Sequence, residues 1–286
     1  MDIESKKFLG QPKNFISIFN ALLFDGQPVL KPEYLKDENS ELVMNVSSKH
    51  VDIIKRYEDG TYLDLFVIES QSYVDPSMVA RVMEYESVAR MRYIRQNFKK
   101  HVPMHTRLPM ILTVVLYVGE SKWNAAKRLS ELEIIHPGFE DMFNEFKLNL
   151  IELNTNHKYN TGEKATQDFF DLLRMIYRKQ ILKEDLDREF NRDALYFAYV
   201  VTKNKELLNI YQESEKGDVK VCRALDEMFE ESTNKGIQMG IKQGIEQGIA
   251  LNQFEVYQTM LDKGFSVKAI ASIFSVSEES IKTLLM

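Results

Sequence analysis

Cysteine occurs once in this chain of 286 residues, at Cys222. That excludes an internal disulfide framework and any multi-cysteine metal site within the chain. Long apolar runs are equally scarce. The longest, 110–118, is broken by Thr113 and falls far short of the roughly 20 residues that span a bilayer, so no membrane partner is expected. An excess of positive charge is missing too: 37 Lys and Arg against 43 Asp and Glu give a formal net charge of -6. No whole-molecule field therefore draws nucleic acid, and such a partner must be held by a local patch or through a metal. Residues 1–8 place Asp2, Glu4, Lys6 and Lys7 where a secretory signal needs an apolar stretch, so a cytoplasmic location is the expectation. Neither G-x-x-x-x-G-K-[ST] nor G-x-G-x-x-G occurs, which removes P-loop and Rossmann nucleotide use.

What is present describes a folded protein. A hydrophobic share of 44% with 28% charged residues excludes wholesale disorder. The length exceeds one usual core, so two domains, or one plus an appendage, are expected. Phe15, Ile18, Phe19, Leu22 and Leu23 fall at helical spacing, with Pro12 as a start and Asp25-Gly26 as a stop. Residues 36–41 read as a polar loop, and 42–46, 51–57 and 62–71 as strands. Asp59-Gly60 predicts a two-residue hairpin turn between the last two. Helical spacing returns over 76–98, and 108–118 reads as a strand buried on both faces. This order predicts an α/β or α+β core, a mixed sheet flanked by helices. Beyond Trp123 the pattern predicts helices near 124–133, 139–146, 165–182, 185–203 and 218–234, with a strand over 147–153. Trp123 itself reads as a packing anchor. The expected partition is a core over 1–153, a helical region packing on it over 154–234, a connector helix over 235–251 and a small tail over 252–286.

The connector carries the one internal repeat. Gly236, Gly240, Gly244 and Gly248 recur every fourth residue, each followed by isoleucine: Ile237, Ile241, Ile245 and Ile249. Each mid-helix glycine costs about 1 kcal/mol relative to alanine. Two readings stand: a semi-flexible connector, or close helix–helix contact between subunits of a homo-oligomer. The tail predicts three short helices, the second capped by Ser266 and the third by Ser277, in a helix-turn-helix-like order. Glu278 and Glu279 outnumber Lys282 on the third, which phosphate would repel, so protein–protein packing suits the tail at least as well as DNA.

Chemistry concentrates in VDIIKRYEDGTYLDLFVIESQS, residues 51–72. With a two-residue turn at Asp59-Gly60, Asp52 faces Val67. Strand alternation then puts Glu69 and Gln71 on that same face. Asp52 and Glu69 become diagonal neighbours, about 7–8 Å apart at the backbone. Two carboxylates so placed can converge on one cation, and Mg²⁺ takes one or two carboxylates plus water and phosphate oxygens. From alternation alone, a strand end that reaches solvent is the simpler reading.

Asp52, followed by Glu69-Ser70-Gln71 at the end of the next strand, resembles the PD-(D/E)xK nuclease core. Within that superfamily the chain is similar to the recombination-promoting nuclease (Rpn)/transposase family. The family shows E-x-Q for E-x-K and then a helix with a spaced Arg and Tyr, here Arg81 and Tyr85. The strand LPMILTVVLYVGESKW, the CRALDEMFEES helix, the glycine repeat and the helical tail extend the likeness over nearly the whole chain. The resemblance implies a restriction-endonuclease-like fold and metal-dependent hydrolysis of DNA phosphodiesters, linked to recombination or transposition. It implies Mg²⁺ (or Mn²⁺) held by Asp52, Glu69 and the Ser70 carbonyl. Gln71 stands at the usual lysine position, where it can orient water or phosphate but supplies neither charge nor a general base. Val51 replaces the nominal proline.

DNA also needs a surface. Residues 90–107 hold Arg90, Arg92, Arg95, Lys99, Lys100 and Arg107 without an acid, a candidate phosphate-contacting patch to which Arg81 adds. A solvated basic helix terminus explains the same residues equally well. His101 and His105 have zinc-pair spacing, but Pro103 between them disfavours the helix. Asp64 is expected to face away from Glu69, and Cys222 to be an inert core thiol. The leading expectation is a Mg²⁺-dependent endonuclease. The alternative is a weak or inactive nuclease-fold scaffold acting through oligomerisation or partners, with a DNA-binding regulator third.

Overall fold

The computed structural model describes residues 3–38, 53–60, 63–214 and 217–285. Its first unit, Met1–Asp226, opens with helices α1 (Ile3–Leu9) and α2 (Pro12–Phe24). Strands β1 (Leu35–Asp37), β2 (Ile53–Glu58) and β3 (Leu63–Gln71) follow, then α3 (Met78–Asn97), β4 (Met110–Tyr117) and β5 (Asn149–Glu152). Next come α4 (Lys164–Arg178), β6 (Glu189–Phe190), α5 (Arg192–Thr202), α6 (Lys205–Glu213) and β7 (Val219–Lys220). The helix α7 (Cys222–Asp262) begins in this unit. Its remainder forms the second unit, Glu227–Met286, with α8 (Val267–Phe274) and α9 (Glu278–Leu285).

The expected mixed α+β core is present as a five-stranded sheet in the order β1-β2-β3-β4-β5. Strands β1, β2 and β3 pair antiparallel, while β3, β4 and β5 run parallel. Parallel neighbours need a crossover, and α3 supplies it between β3 and β4. The central strand β3 is buried from Leu65 to Glu69, as a strand covered on both faces must be. On one face Phe19 of α2 stacks on Phe66, ring centroids 4.7 Å apart. On the other, Tyr85 and Ala89 of α3 pack with Leu65, Val67, Ile54 and Ile111. Asp25 and Gly26 take the left-handed conformation that stops α2, with φ 50 and 77°.

The register corrects one expectation. Val67 pairs with Ile54, not with Asp52, because pairing closes at Glu58–Leu63 and the connection covers 59–62. Gly60 does adopt the positive φ of a turn, 89°, but the loop is longer than two residues. The shift amounts to two positions along β2, so alternation survives and Glu69 and Gln71 keep Val67's face. Asp52 itself, like the strand expected over 42–46, lies outside the described residues.

Other expectations also change. Residues 36–37, read as loop, belong to β1. No α-helix forms over 124–133 or 139–146, only 3₁₀ turns at Leu129–Glu131 and Glu140–Met142. There the backbone pairs across the chain instead: Leu129 N–H donates to Phe146 O and Leu148 N–H to Lys127 O, both at 2.9 Å. Trp123 packs edge-on against Tyr117, centroids 5.1 Å apart, as the anchor expected. Helix α5 starts only at Arg192, where the Asn191 side chain accepts from Asp193 and Ala194 N–H. Asn204 caps α6, which the sequence did not suggest.

In the second unit α7 passes through the glycine repeat without a break. Ile237, Ile241, Ile245 and Ile249 are each more than half exposed. Tyr257, Ile270, Ala271 and Ile281 form the tail's core, and Ser266 and Ser277 cap α8 and α9 as expected. A Cβ built at Gly240 or Gly244 meets nothing within 4 Å. Gly240→Ala and Gly244→Ala in the full chain should each therefore stabilise this helix by about 1 kcal/mol, read by far-UV circular dichroism on heating. A loss of stability would instead show that the glycine face is packed.

Candidate active site

At the end of β3 the chain turns directly into α3, and this turn builds the site. Glu69 and Gln71 are each 4% exposed and point to the α3 side of the sheet. A carboxylate so buried is costly unless paired. Arg81, on the first turns of α3, provides the pairing: its Nη2 donates to Glu69 Oε1 at 3.0 Å. Its Nη1 donates to Asp75 Oδ2 at 2.5 Å, so one guanidinium joins two carboxylates. Tyr85, one helical turn on, accepts from Arg81 Nε at 3.1 Å and Nη2 at 2.8 Å. Asp75 is fixed in turn by Ser77, whose N–H and Oγ donate to Oδ1 at 2.9 and 2.6 Å. The helix start, the strand end and the carboxylate thus form one hydrogen-bonded unit.

Its electrostatics follow from those contacts. Burial opposes the charge on Arg81, yet hydrogen bonds to Asp75 and Tyr85 and the field of Glu69 outweigh it and raise the guanidinium pKa. Burial likewise opposes ionised Asp75, but Ser77 and Arg81 hold its carboxyl below the usual range. Burial pushes the Tyr85 hydroxyl up, so it stays a neutral acceptor for Arg81. Gln71 differs from these. Among the described residues its buried Nε2 has no hydrogen-bond partner, a donor without an acceptor beside Glu69.

The sequence-predicted residues divide into two groups. Glu69, Arg81 and Tyr85 come together, while Gln71 shares Glu69's strand face with the Ser70 backbone between them. Asp52 lies outside the described residues, and among these no group of three His, Cys, Asp or Glu gathers to hold a metal. The donors that are present, the Glu69 carboxylate and the Ser70 carbonyl, are hard oxygens and suit Mg²⁺ or Mn²⁺ rather than a thiophilic ion. The basic residues lie elsewhere. Arg90 pairs with buried Glu86 at 2.8 Å, and Arg92 is half-buried. Arg95, Lys99, Lys100 and Arg107 are exposed toward the far end of α3. At 1.5 Å per residue, Arg95 is about 21 Å along the helix from Arg81.

Sequence reasoning missed Asp75 and Glu86. Asp75 precedes Pro76 and Ser77 at a helix start, a pattern that signals a capping turn. Glu86 takes the N–H of Thr113, at 3.2 Å, just before β5 begins to pair with β4. No local signal marks it. Asp64 is half-buried and accepts from Met110 N–H at 3.1 Å, fixing the start of β4. Burial raises the Cys222 thiol to about 11, which keeps it inert.

A family model described as "Putative transposase, YhgA-like" matches residues 29–207 of the chain. No curated protein and no solved structure matches it significantly.

The shared guanidinium carries a direct consequence for stability. Arg81→Ala leaves two buried carboxylates without their cation and should cost about 3–5 kcal/mol in urea unfolding. Adding Glu69→Gln should recover part of that loss. Full additivity of the two substitutions would contradict the pairing.

Proposed function

The chain belongs to the YhgA-like transposase family, which is of the Rpn/PD-(D/E)xK nuclease type, and on that premise we propose that it hydrolyses phosphodiester bonds of DNA with a divalent metal. Membership links the chain to transposition, and the nuclease chemistry is our reading of its site. Glu69, the Ser70 carbonyl and Asp52 would hold Mg²⁺ or Mn²⁺. When bound, such an ion supplies Lewis acidity and charge neutralisation to the scissile phosphate.

The protein's own groups do the positioning. Arg81, itself held by Asp75 and Tyr85, keeps the Glu69 carboxylate in one orientation. Gln71 presents Nε2 to a phosphate oxygen or to the attacking water, and being neutral it neither carries charge nor accepts the proton. What carries the reading is that this Nε2 is buried on the same strand face as Glu69 and, among the described residues, has no acceptor. A donor of that kind, preset where charge develops, is a recurrent catalytic arrangement. On a chain of net charge -6, the duplex would be attracted locally by Arg90, Arg92, Arg95, Lys99 and Lys100.

The test is nicking of supercoiled plasmid. Wild-type protein should nick with Mg²⁺ or Mn²⁺ and stop when the metal is chelated. Glu69→Ala and Asp52→Ala should abolish nicking, and Gln71→Ala should slow it about 10²-fold. Cleavage by Glu69→Ala at the wild-type rate would overturn the assignment. A wild-type protein that binds metal but never cuts would instead point to a scaffold built on a nuclease fold.

A further inference from the structure

The connection between α3 and β4 carries apolar side chains that the core does not use. Met104 is 92% exposed, with Met110 at 51%, Val102 at 44% and Leu108 at 39%. Single exposed apolar residues are ordinary, but four within nine positions concentrate apolar surface on one short segment. The backbone folds back on itself here: Thr106 N–H donates to Pro103 O at 3.0 Å, placing Met104 and His105 at the tip of a turn. Pro103 fixes its own φ and stiffens that tip.

The tip is framed by cations. Lys99, Lys100 and Arg107 are exposed on its two flanks, and no acidic residue occurs between Glu86 and Glu120. A basic flank alone would need only phosphate, and an apolar tip alone would fit any greasy groove. The combination fits a polyanion that can open an apolar slot, as duplex DNA does between base-pair steps. Met, Leu and Pro are among the side chains that enter such steps from the minor groove.

The position is suitable as well. Met110 pairs beside Asp64, and Glu69 lies five residues further along β3, about 17 Å away at strand rise. That is the length of about five base pairs, so the root of the loop at Met110 and the Glu69 end of β3 fall within the span of one short duplex. We propose that the loop over 99–108 grips duplex DNA, with Met104 wedged between base pairs and Lys99, Lys100 and Arg107 on the flanking phosphates. This rests on the DNA reading given above and adds to it a device that bends or unstacks the substrate.

The experiment uses the full chain, without divalent metal so that the duplex stays intact, and a short duplex carrying 2-aminopurine. Wild-type protein should bind and raise the 2-aminopurine fluorescence. Met104→Ala, an exposed change that leaves the core alone, should bind about tenfold more weakly and abolish the rise. Lys99→Gln with Lys100→Gln should lower the salt slope by about two while keeping the rise at saturation. If wild type and Met104→Ala bind equally with the same fluorescence, the wedge is wrong and the DNA reading stands. Should the protein ignore the duplex but bind phosphatidylserine vesicles through Met104, both fall.

Discussion

One guanidinium holding two buried carboxylates is the constraint on which the site depends. Without Arg81, the Glu69 carboxylate at the end of β3 and the Asp75 carboxylate just before α3 would both lie buried without the guanidinium that joins them. Desolvation penalises each, and their mutual repulsion adds to it. With Arg81 in place the same charges tie strand to helix and fix the Glu69 side chain. Tyr85 completes the arrangement by accepting from the guanidinium while its ring packs into the core. The same contacts thus stabilise the fold and hold Glu69 in the orientation that the proposed chemistry needs.

Much of this was legible in the sequence because it obeys short periods. Strand alternation placed Glu69 and Gln71 on one face, and that survived a register error because the error was even. The error came from loop length: Gly60 marks a turn, but nothing local says that the pairing closes only at Glu58 and Leu63. Helix α3 was clear from its apolar spacing, whereas the roles of Arg81 and Tyr85 came only through the family resemblance. Asp75 and Glu86 escaped notice because their importance is tertiary, set by what burial brings beside them. The helices expected over 124–133 and 139–146 failed for a related reason. Leu129 and Leu148 are buried there by backbone pairing between 127–129 and 146–148, a contact that helical spacing cannot anticipate.

The division of labour along α3 unites the two halves of the functional reading. Its first turns face the strand ends and carry the buried charges. Its last turns and the loop beyond carry exposed cations and an apolar tip. A net acidic chain that acts on a polyanion needs such segregation, since a uniform surface field would repel the substrate. The Gln71 position matches this economy. A lysine there would have to be buried as a cation, whereas an amide offers a donor without that cost.

The central claim is that the Glu69 carboxylate ligates a divalent ion. Mn²⁺ binding to the full chain, followed by electron paramagnetic resonance, measures this without any assumption about substrate. Wild-type protein should show a saturable Mn²⁺ site, and Glu69→Gln, which keeps the shape and an acceptor for Arg81, should weaken it by more than about tenfold. Equal Mn²⁺ affinity in the two proteins would contradict the account.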